Sequence, residues 1–177
     1  TVCPPKGSHL GQEAIAEALA TVAGRGLPLA LYQLPQVTGN EMSPETVKAL
    51  AVRHPGFYLF KDTSGKDRVA ASQLDFHGVF LVRGAEGDYA RWPKTAGGPY
   101  DGFLLSTANV FARELDTVLC LLEQGRRGDA EMLATRLSRV VEGCFEIVGG
   151  FPTGNAFTNA NKVLDHLMAY GEAGVRR

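Results

Sequence analysis

Residues 57–65, FYLFKDTSG, decide the fold class of this chain. Four consecutive apolar residues followed by a polar turn predict a short strand that is buried on both faces, with Lys61 at its carboxyl end. Similar apolar runs at residues 28–35, 78–82 and 102–106 each follow a segment of helical character. Strands that alternate with helices predict a parallel sheet with helical cover.

Helical signals lie between and after these runs. Residues 11–23 repeat small and apolar side chains at helical spacing and end at Gly24. Ser43 is a good N-cap and Pro44 suits the first turn of a helix that ends near Arg53. Further helices are predicted at residues 67–74, 88–91, 112–124 and 129–148, with a last one after residue 154 that ends near residue 170.

The composition describes an ordinary globular chain. Its 177 residues are 45% hydrophobic and carry a net charge of -1, which argues against a disordered segment and against a basic nucleic-acid platform. No apolar run approaches the roughly 20 residues that cross a bilayer. Cys3, Cys120 and Cys144 show neither disulfide nor zinc-site spacing. We therefore expect a cytoplasmic protein with no metal, no membrane partner and no nucleic-acid partner.

The carboxyl ends of the strands are where ligands meet parallel α/β folds. Hydrophobic neighbours disfavour the charged form of Lys61 and supply neutral amine for attack on a carbonyl, which is Schiff-base chemistry. Tyr32, near the end of the preceding strand, is placed to move protons beside it. The alternative is a solvated Lys61 paired with Asp62 and a Tyr32 that belongs to the core. The positions of Tyr32 and Lys61 on their strands do not decide between a catalytic pair and this alternative.

Other classes of site find little support in the sequence. The four histidines are scattered, and Ser106 lies in no Gly-x-Ser-x-Gly motif, so neither a metal site nor a hydrolase triad is predicted. No glycine-rich phosphate loop follows any strand, so nucleotide binding is not supported. The arginines near residues 113–139 are interspersed with acids, which is typical of a solvated helix face.

Three segments carry a resemblance to a known family. They are LYQLP at residues 31–35, FKDTSG at residues 60–65 and DGFLLSTAN at residues 101–109. The sequence resembles the dihydrodipicolinate synthase and N-acetylneuraminate lyase family of pyruvate-dependent class I aldolases. The resemblance implies a (β/α)8 TIM barrel, an α/β fold, of which this chain covers about strands 4–8 plus a C-terminal helical tail.

The domain organisation follows from this resemblance. Residues 1–110, with a first strand at residues 1–4, are expected to form the partial barrel of five strands, and residues 111–177 the C-terminal helices of the same domain. Five strands do not close a barrel. We expect the first three αβ units, with their carboxylate-binding loop, either outside the recorded sequence or on a partner chain.

The resemblance also implies the roles of individual residues. Lys61 forms the imine with a 2-oxo acid, and Tyr32 is the acid/base. The substrate-binding residues that it implies are Thr63, Gly84, Glu86 and Ser106, the last two facing the variable part of the substrate. It implies no metal and no cofactor, a small-molecule 2-oxo acid as partner, and a homo-oligomer, commonly a tetramer.

Two departures separate the chain from the synthase branch of that family. Gln36 and Val37 follow Pro35 where the synthases have an arginine that grips the dicarboxylate, and Pro5-Lys6 replaces a tyrosine pair. Lysine biosynthesis is therefore not implied. We expect a Schiff-base-forming lyase or aldolase that acts on pyruvate or a related 2-oxo acid by reversible C–C cleavage or condensation. A sugar-acid dehydratase or hydratase using the same imine and a non-catalytic barrel relative are the alternatives.

Overall fold

The computed structural model describes residues 1–171 and divides the chain into two compact units. The first unit comprises Thr1–Ala85 and Pro99–Leu104, and the second comprises Glu86–Gly98 and the described residues from Leu105 onward. Residues 172–177, the end of the predicted helical tail, lie outside the described residues. The division of the chain after residue 110 stays a prediction.

The first unit is built on a parallel sheet of four strands. They are β1 (Leu29–Gln33), β2 (Phe57–Asp62), β3 (Phe80–Arg83) and β4 (Gly102–Phe103), in the spatial order β1-β2-β3-β4. All three pairings are parallel, and Tyr32 of β1 lies opposite Lys61 of β2. The predicted parallel sheet is confirmed, and the carboxyl ends of its strands meet at one edge.

The predicted N-terminal edge strand is wrong. Val2 makes a single parallel bridge to β1: it donates to the Ala30 carbonyl at 2.8 Å and accepts from the Tyr32 N–H at 2.9 Å. Pro4 and Pro5 follow after Cys3, and a proline has no N–H with which to continue the ladder. The expected five strands are therefore four plus this bridge among residues 1–171.

Helices of the first unit cover the sheet. They are α1 (Gln12–Ala23), α2 (Pro35–Thr38), α3 (Pro44–Arg53) and α4 (Arg68–Ala71). Ser43 caps α3 as predicted, since its hydroxyl accepts from the Thr46 N–H at 3.2 Å. Ile15 and Leu19 of α1 are buried with Val47 of α3, so the amphipathic faces supply the core. The helix predicted at residues 67–74 is confirmed only over Arg68–Ala71, and residues 72–74 lie outside it.

The second unit is helical. It contains a 3-10 turn at Lys94–Ala96 and the helices α5 (Ala108–Glu123), α6 (Arg127–Gly149) and α7 (Ala156–Tyr170). Phe111 has non-helical angles (φ -109°, ψ 28°), so the helix predicted from residue 112 follows a kink inside α5. The helix predicted at residues 88–91 is a turn, closed by the Arg91 N–H on the Asp88 carbonyl at 2.9 Å. None of the described helices is long and apolar enough to cross a membrane.

Candidate active site

Tyr32 and Lys61 form the centre of the candidate site. Their opposite positions in the β1–β2 register put both side chains on one face of the sheet. The Lys61 Nζ lies 4.4 Å from the centroid of the Tyr32 ring, and both residues are half-buried. The predicted juxtaposition of these two side chains is confirmed, and their chemical roles stay predictions.

Asp62 lies away from Lys61. Successive strand residues point to opposite faces, and Asp62 is fully buried, with one carboxylate oxygen accepting from the Ser64 N–H at 2.8 Å. Burial raises the pKa of this carboxyl, and the hydrogen bond from Ser64 opposes that shift. The alternative in which Lys61 pairs with Asp62 therefore does not describe this structure.

Thr63 and Gly84 complete the site in the first unit. The Thr63 hydroxyl donates to the Tyr32 hydroxyl at 3.3 Å. A Cβ built on Gly84 overlaps the Thr63 hydroxyl and stands 2.6 Å from the Lys61 Cε, closer than real side chains approach. Any residue other than glycine at position 84 would therefore displace Lys61 or Thr63. Four of the six predicted site residues thus converge.

Cys3 is a neighbour of Lys61 that the sequence reasoning did not single out. The Val2 bridge holds the N-terminal segment against β1 and brings the half-buried Cys3 thiol near the lysine. Burial raises the pKa of the Cys3 thiol, and the positive charge of Lys61 partly offsets this. The only sequence signal was its place within the edge strand predicted at residues 1–4.

A buried ion pair next to the site was also missed. Arg83, at the end of β3, donates from Nε and Nη2 to the two carboxylate oxygens of Asp67, at 3.0 and 3.3 Å. Its Nη1 donates to the Ala85 carbonyl at 2.7 Å, and the Tyr100 hydroxyl donates to Asp67 at 2.6 Å. We call Asp67, Arg83 and Tyr100 the buried triad. It ties the loop after β2 to the end of β3, directly before Gly84.

Glu86 and Ser106 belong to the second unit. The Glu86 carboxylate accepts from the Thr107 hydroxyl at 2.6 Å and from the Tyr89 hydroxyl at 2.9 Å. Burial, and then the negative charge of Glu86, raise the pKa of Tyr89. The Ser106 hydroxyl accepts from the Asn161 side-chain amide at 2.5 Å. Glu86 thus already holds the start of α5, and the binding roles predicted for these two residues stay predictions.

Two arginines at the start of α6 are paired with acids. Arg126 lies 2.7 Å from Asp129, and Arg127 lies 3.1 Å from Glu131, with all four side chains largely exposed. The predicted solvated face is confirmed for these pairs. Within residues 1–171 no group of three His, Cys, Asp or Glu side chains is arranged to hold a metal ion.

Comparison with known proteins decides the family. The model of the dihydrodipicolinate synthetase family matches residues 5–154, which is most of the chain. The chain belongs to the dihydrodipicolinate synthetase family. The 4-hydroxy-tetrahydrodipicolinate synthase of Xanthomonas campestris pv. campestris is 31% identical over 144 residues, which are 81% of this chain and 47% of the relative. The corresponding enzyme of Geotalea uraniireducens is 27% identical over 140 residues, 79% of this chain and 46% of the relative.

The chain spans about half the length of the curated relatives it matches. Among solved structures, dihydrodipicolinate synthase from Bacteroides thetaiotaomicron is similar with a TM-score of 0.73 at 19% identity, over 96% of this chain and 55% of that one. The 2-keto 3-deoxygluconate aldolase of Picrophilus torridus is similar with a TM-score of 0.69 at 22% identity, over 92% and 57%. These likenesses, with the family match, confirm the predicted partial TIM barrel and helical tail.

Proposed function

We propose that this chain carries the imine-forming half of a class I, pyruvate-dependent aldolase-type lyase. One observation carries the proposal: the Lys61 Nζ lies 4.4 Å from the Tyr32 ring centroid, at the carboxyl ends of two parallel strands. A primary amine beside a phenol is what imine chemistry needs, because the amine attacks and the phenol moves protons. Membership of the synthetase family supports the same reaction class.

The first step joins Lys61 to a 2-oxo acid. The lone pair of the neutral amine attacks the ketone carbon, and the carbonyl oxygen takes a proton to become a hydroxyl. That oxygen leaves as water when the nitrogen lone pair forms the C=N bond. Tyr32 gives protons to the oxygen and takes back the one that the nitrogen loses, so protons circulate without a metal or cofactor.

The second step breaks the C3–C4 bond of a 2-oxo acid that carries a hydroxyl on C4. In this numbering C1 is the carboxyl carbon and C2 is the carbon bonded to Lys61. The Tyr32 phenolate removes the proton of the C4 hydroxyl, the C3–C4 bond breaks, and its electron pair flows into the iminium to give an enamine and an aldehyde. The enamine then takes a proton at C3. Water hydrolyses the resulting imine and releases pyruvate and free Lys61. Condensation is the same sequence in reverse.

The neighbouring residues have supporting roles in this proposal. The hydrogen bond from Thr63 orients the Tyr32 hydroxyl, and Gly84 leaves the space that the Lys61 side chain fills. Glu86 and Ser106 face the variable part of the substrate. The substrate is pyruvate or a related 2-oxo acid, the assembly is a homo-oligomer, and the compartment is the cytoplasm, in keeping with the three free cysteines.

Borohydride trapping tests this function. The purified protein is incubated with pyruvate and borohydride, its intact mass is measured, and the modified peptide is mapped. We expect an adduct on Lys61 that disappears in Lys61→Ala and persists in Lys66→Ala, a matched control because Lys66 is an exposed lysine of the following turn. Tyr32→Phe should slow trapping about 10²- to 10⁴-fold. Absence of any adduct on the parent protein, or trapping by Lys61→Ala at the parent rate, overturns the proposal.

A further inference from the structure

The Tyr32 hydroxyl depends on Thr63 for its orientation. Among residues 1–171, the Thr63 hydroxyl is the one group that hydrogen-bonds to it, at 3.3 Å. Two hydroxyls in a strong hydrogen bond lie about 2.7–2.8 Å apart, so this bond is already long and a small movement of Thr63 breaks it. The groups that hold Thr63 in place therefore also hold the Tyr32 hydroxyl.

The backbone of Thr63 lies just beyond the end of β2. Its N–H donates to the Gln33 carbonyl at 3.0 Å, which continues the β1–β2 ladder by one residue. In a parallel ladder the next donor to the Thr63 carbonyl would be the N–H of residue 35, but Pro35 has none. The Gln36 side chain replaces that donor, since its Nε2 donates to the Thr63 carbonyl at 3.0 Å.

Gln36 stands on a fixed backbone. It belongs to α2, the single helical turn that follows β1. The N–H and the hydroxyl of the buried Thr38 both donate to the Leu34 carbonyl, at 3.0 and 3.1 Å, which closes this turn. The bond from Gln36 to Thr63 therefore clamps the end of the strand that carries Tyr32 to the residue that orients its hydroxyl.

We propose that Gln36 is a positioning residue for imine formation. Its amide holds the Thr63 carbonyl, and Thr63 in turn presents its hydroxyl to Tyr32. This inference rests on the proposed imine-forming function and adds to it a residue that acts through two others and does not touch the substrate.

A positioning role and a purely structural role predict different results. Gln36 is exposed, so its replacement creates no cavity and should change the free energy of unfolding little. A side chain that only stabilised the loop would leave the rate of imine formation in the folded protein unchanged. A positioning residue instead sets the rate without changing the affinity for pyruvate, because it makes no contact with the substrate.

The test measures the rate of borohydride trapping on Lys61 against pyruvate concentration. Gln36→Met keeps the length of the side chain without a donor, and Gln36→Glu keeps its shape with an oxygen in place of the donor. Both should lower the maximal rate about 3- to 10-fold, the effect of losing one hydrogen bond. The pyruvate concentration at half-maximal rate should not change.

Gln124→Met is the matched control. Gln124 is an exposed glutamine at the end of α5, and its side chain makes no hydrogen bond with any of the described residues. This variant should trap pyruvate at the parent rate.

The Tyr32→Phe background decides whether Gln36 acts through Tyr32. Phenylalanine has no hydroxyl to orient, so adding Gln36→Met to Tyr32→Phe should lower the rate by about 2-fold or less. An equal fold-loss in both backgrounds overturns this inference alone. So does a parent-like maximal rate in both Gln36 variants, or a changed half-maximal concentration. A parent protein that forms no adduct on Lys61 overturns the proposed function and this inference with it.

Discussion

Replacing Arg83 by methionine is expected to lower the free energy of unfolding by about 3–5 kcal/mol. Arg83 is 4% exposed and Asp67 is 2% exposed, so the ion pair of the buried triad is almost fully removed from water. Methionine deletes the donors 3.0 and 3.3 Å from the two Asp67 oxygens. The carboxylate then stays buried with the Tyr100 hydroxyl and no opposite charge, which is the costly situation for a charged group.

The Asp67→Asn, Arg83→Met double variant separates this cause from a simple loss of packing. Removing both charges leaves no unpaired ion, and replacement of buried ion pairs by neutral groups is often tolerated. The double variant should therefore be more stable than Arg83→Met alone. Arg126→Met is the matched control, because Arg126 pairs with Asp129 on the surface and exposed pairs contribute about 1 kcal/mol or less.

Urea unfolding followed by circular dichroism measures five proteins: the parent, the control Arg126→Met, the two single variants Arg83→Met and Asp67→Asn, and their double variant. If Arg83→Met costs no more than Arg126→Met, the triad does not contribute as reasoned. If the double variant costs as much as the sum of the two single variants, the charges are not coupled and the argument fails.

Two further changes test Gly84, which lies beside Lys61, and the buried Asp62. Gly84→Ala should lower the rate of borohydride trapping at least 10-fold, because the added Cβ overlaps Thr63 and crowds the Lys61 Cε. Trapping at the parent rate would show that the backbone shifts without displacing Lys61, and would contradict this prediction. Burial raises the pKa of Asp62 above its ordinary value, so the folded state holds that proton more tightly and the associated stability is lost as pH rises through the folded pKa. Urea midpoints measured upward from pH 4 should therefore fall faster with pH for the parent than for Asp62→Asn, and parallel curves would contradict this.

The elements predicted well are those with local signals. The apolar runs place β1 and β2 within a residue or two, and Ser43 with Pro44 fixes the start of α3, because burial on both faces and helix capping are read from adjacent residues. The same logic placed Tyr32 beside Lys61, since both stand at the ends of neighbouring parallel strands.

The wrong predictions concern features that depend on distant partners. The edge strand failed because prolines end its ladder after one bridge, and the residues 88–91 form a turn in which Asp88 has a positive φ of 53°. Asn161 was not singled out, because an asparagine in a helix looks like an ordinary surface residue. Its contact with Ser106 exists only once α7 is packed against α5.

Asp67 shows why the buried triad lay beyond sequence reasoning. In the sequence it is an acid at the start of a short helix, where an N-cap is the usual role, yet its carboxylate makes no capping bond and its φ is 56°. The missing cap forgoes about 1 kcal/mol, and the left-handed backbone costs about 1–2 kcal/mol. Leaving Arg83 buried without its carboxylate would cost about 3–5 kcal/mol, so pairing outweighs both local preferences combined. The local rules therefore predict the wrong conformation for Asp67, because its partner lies 16 residues away on β3.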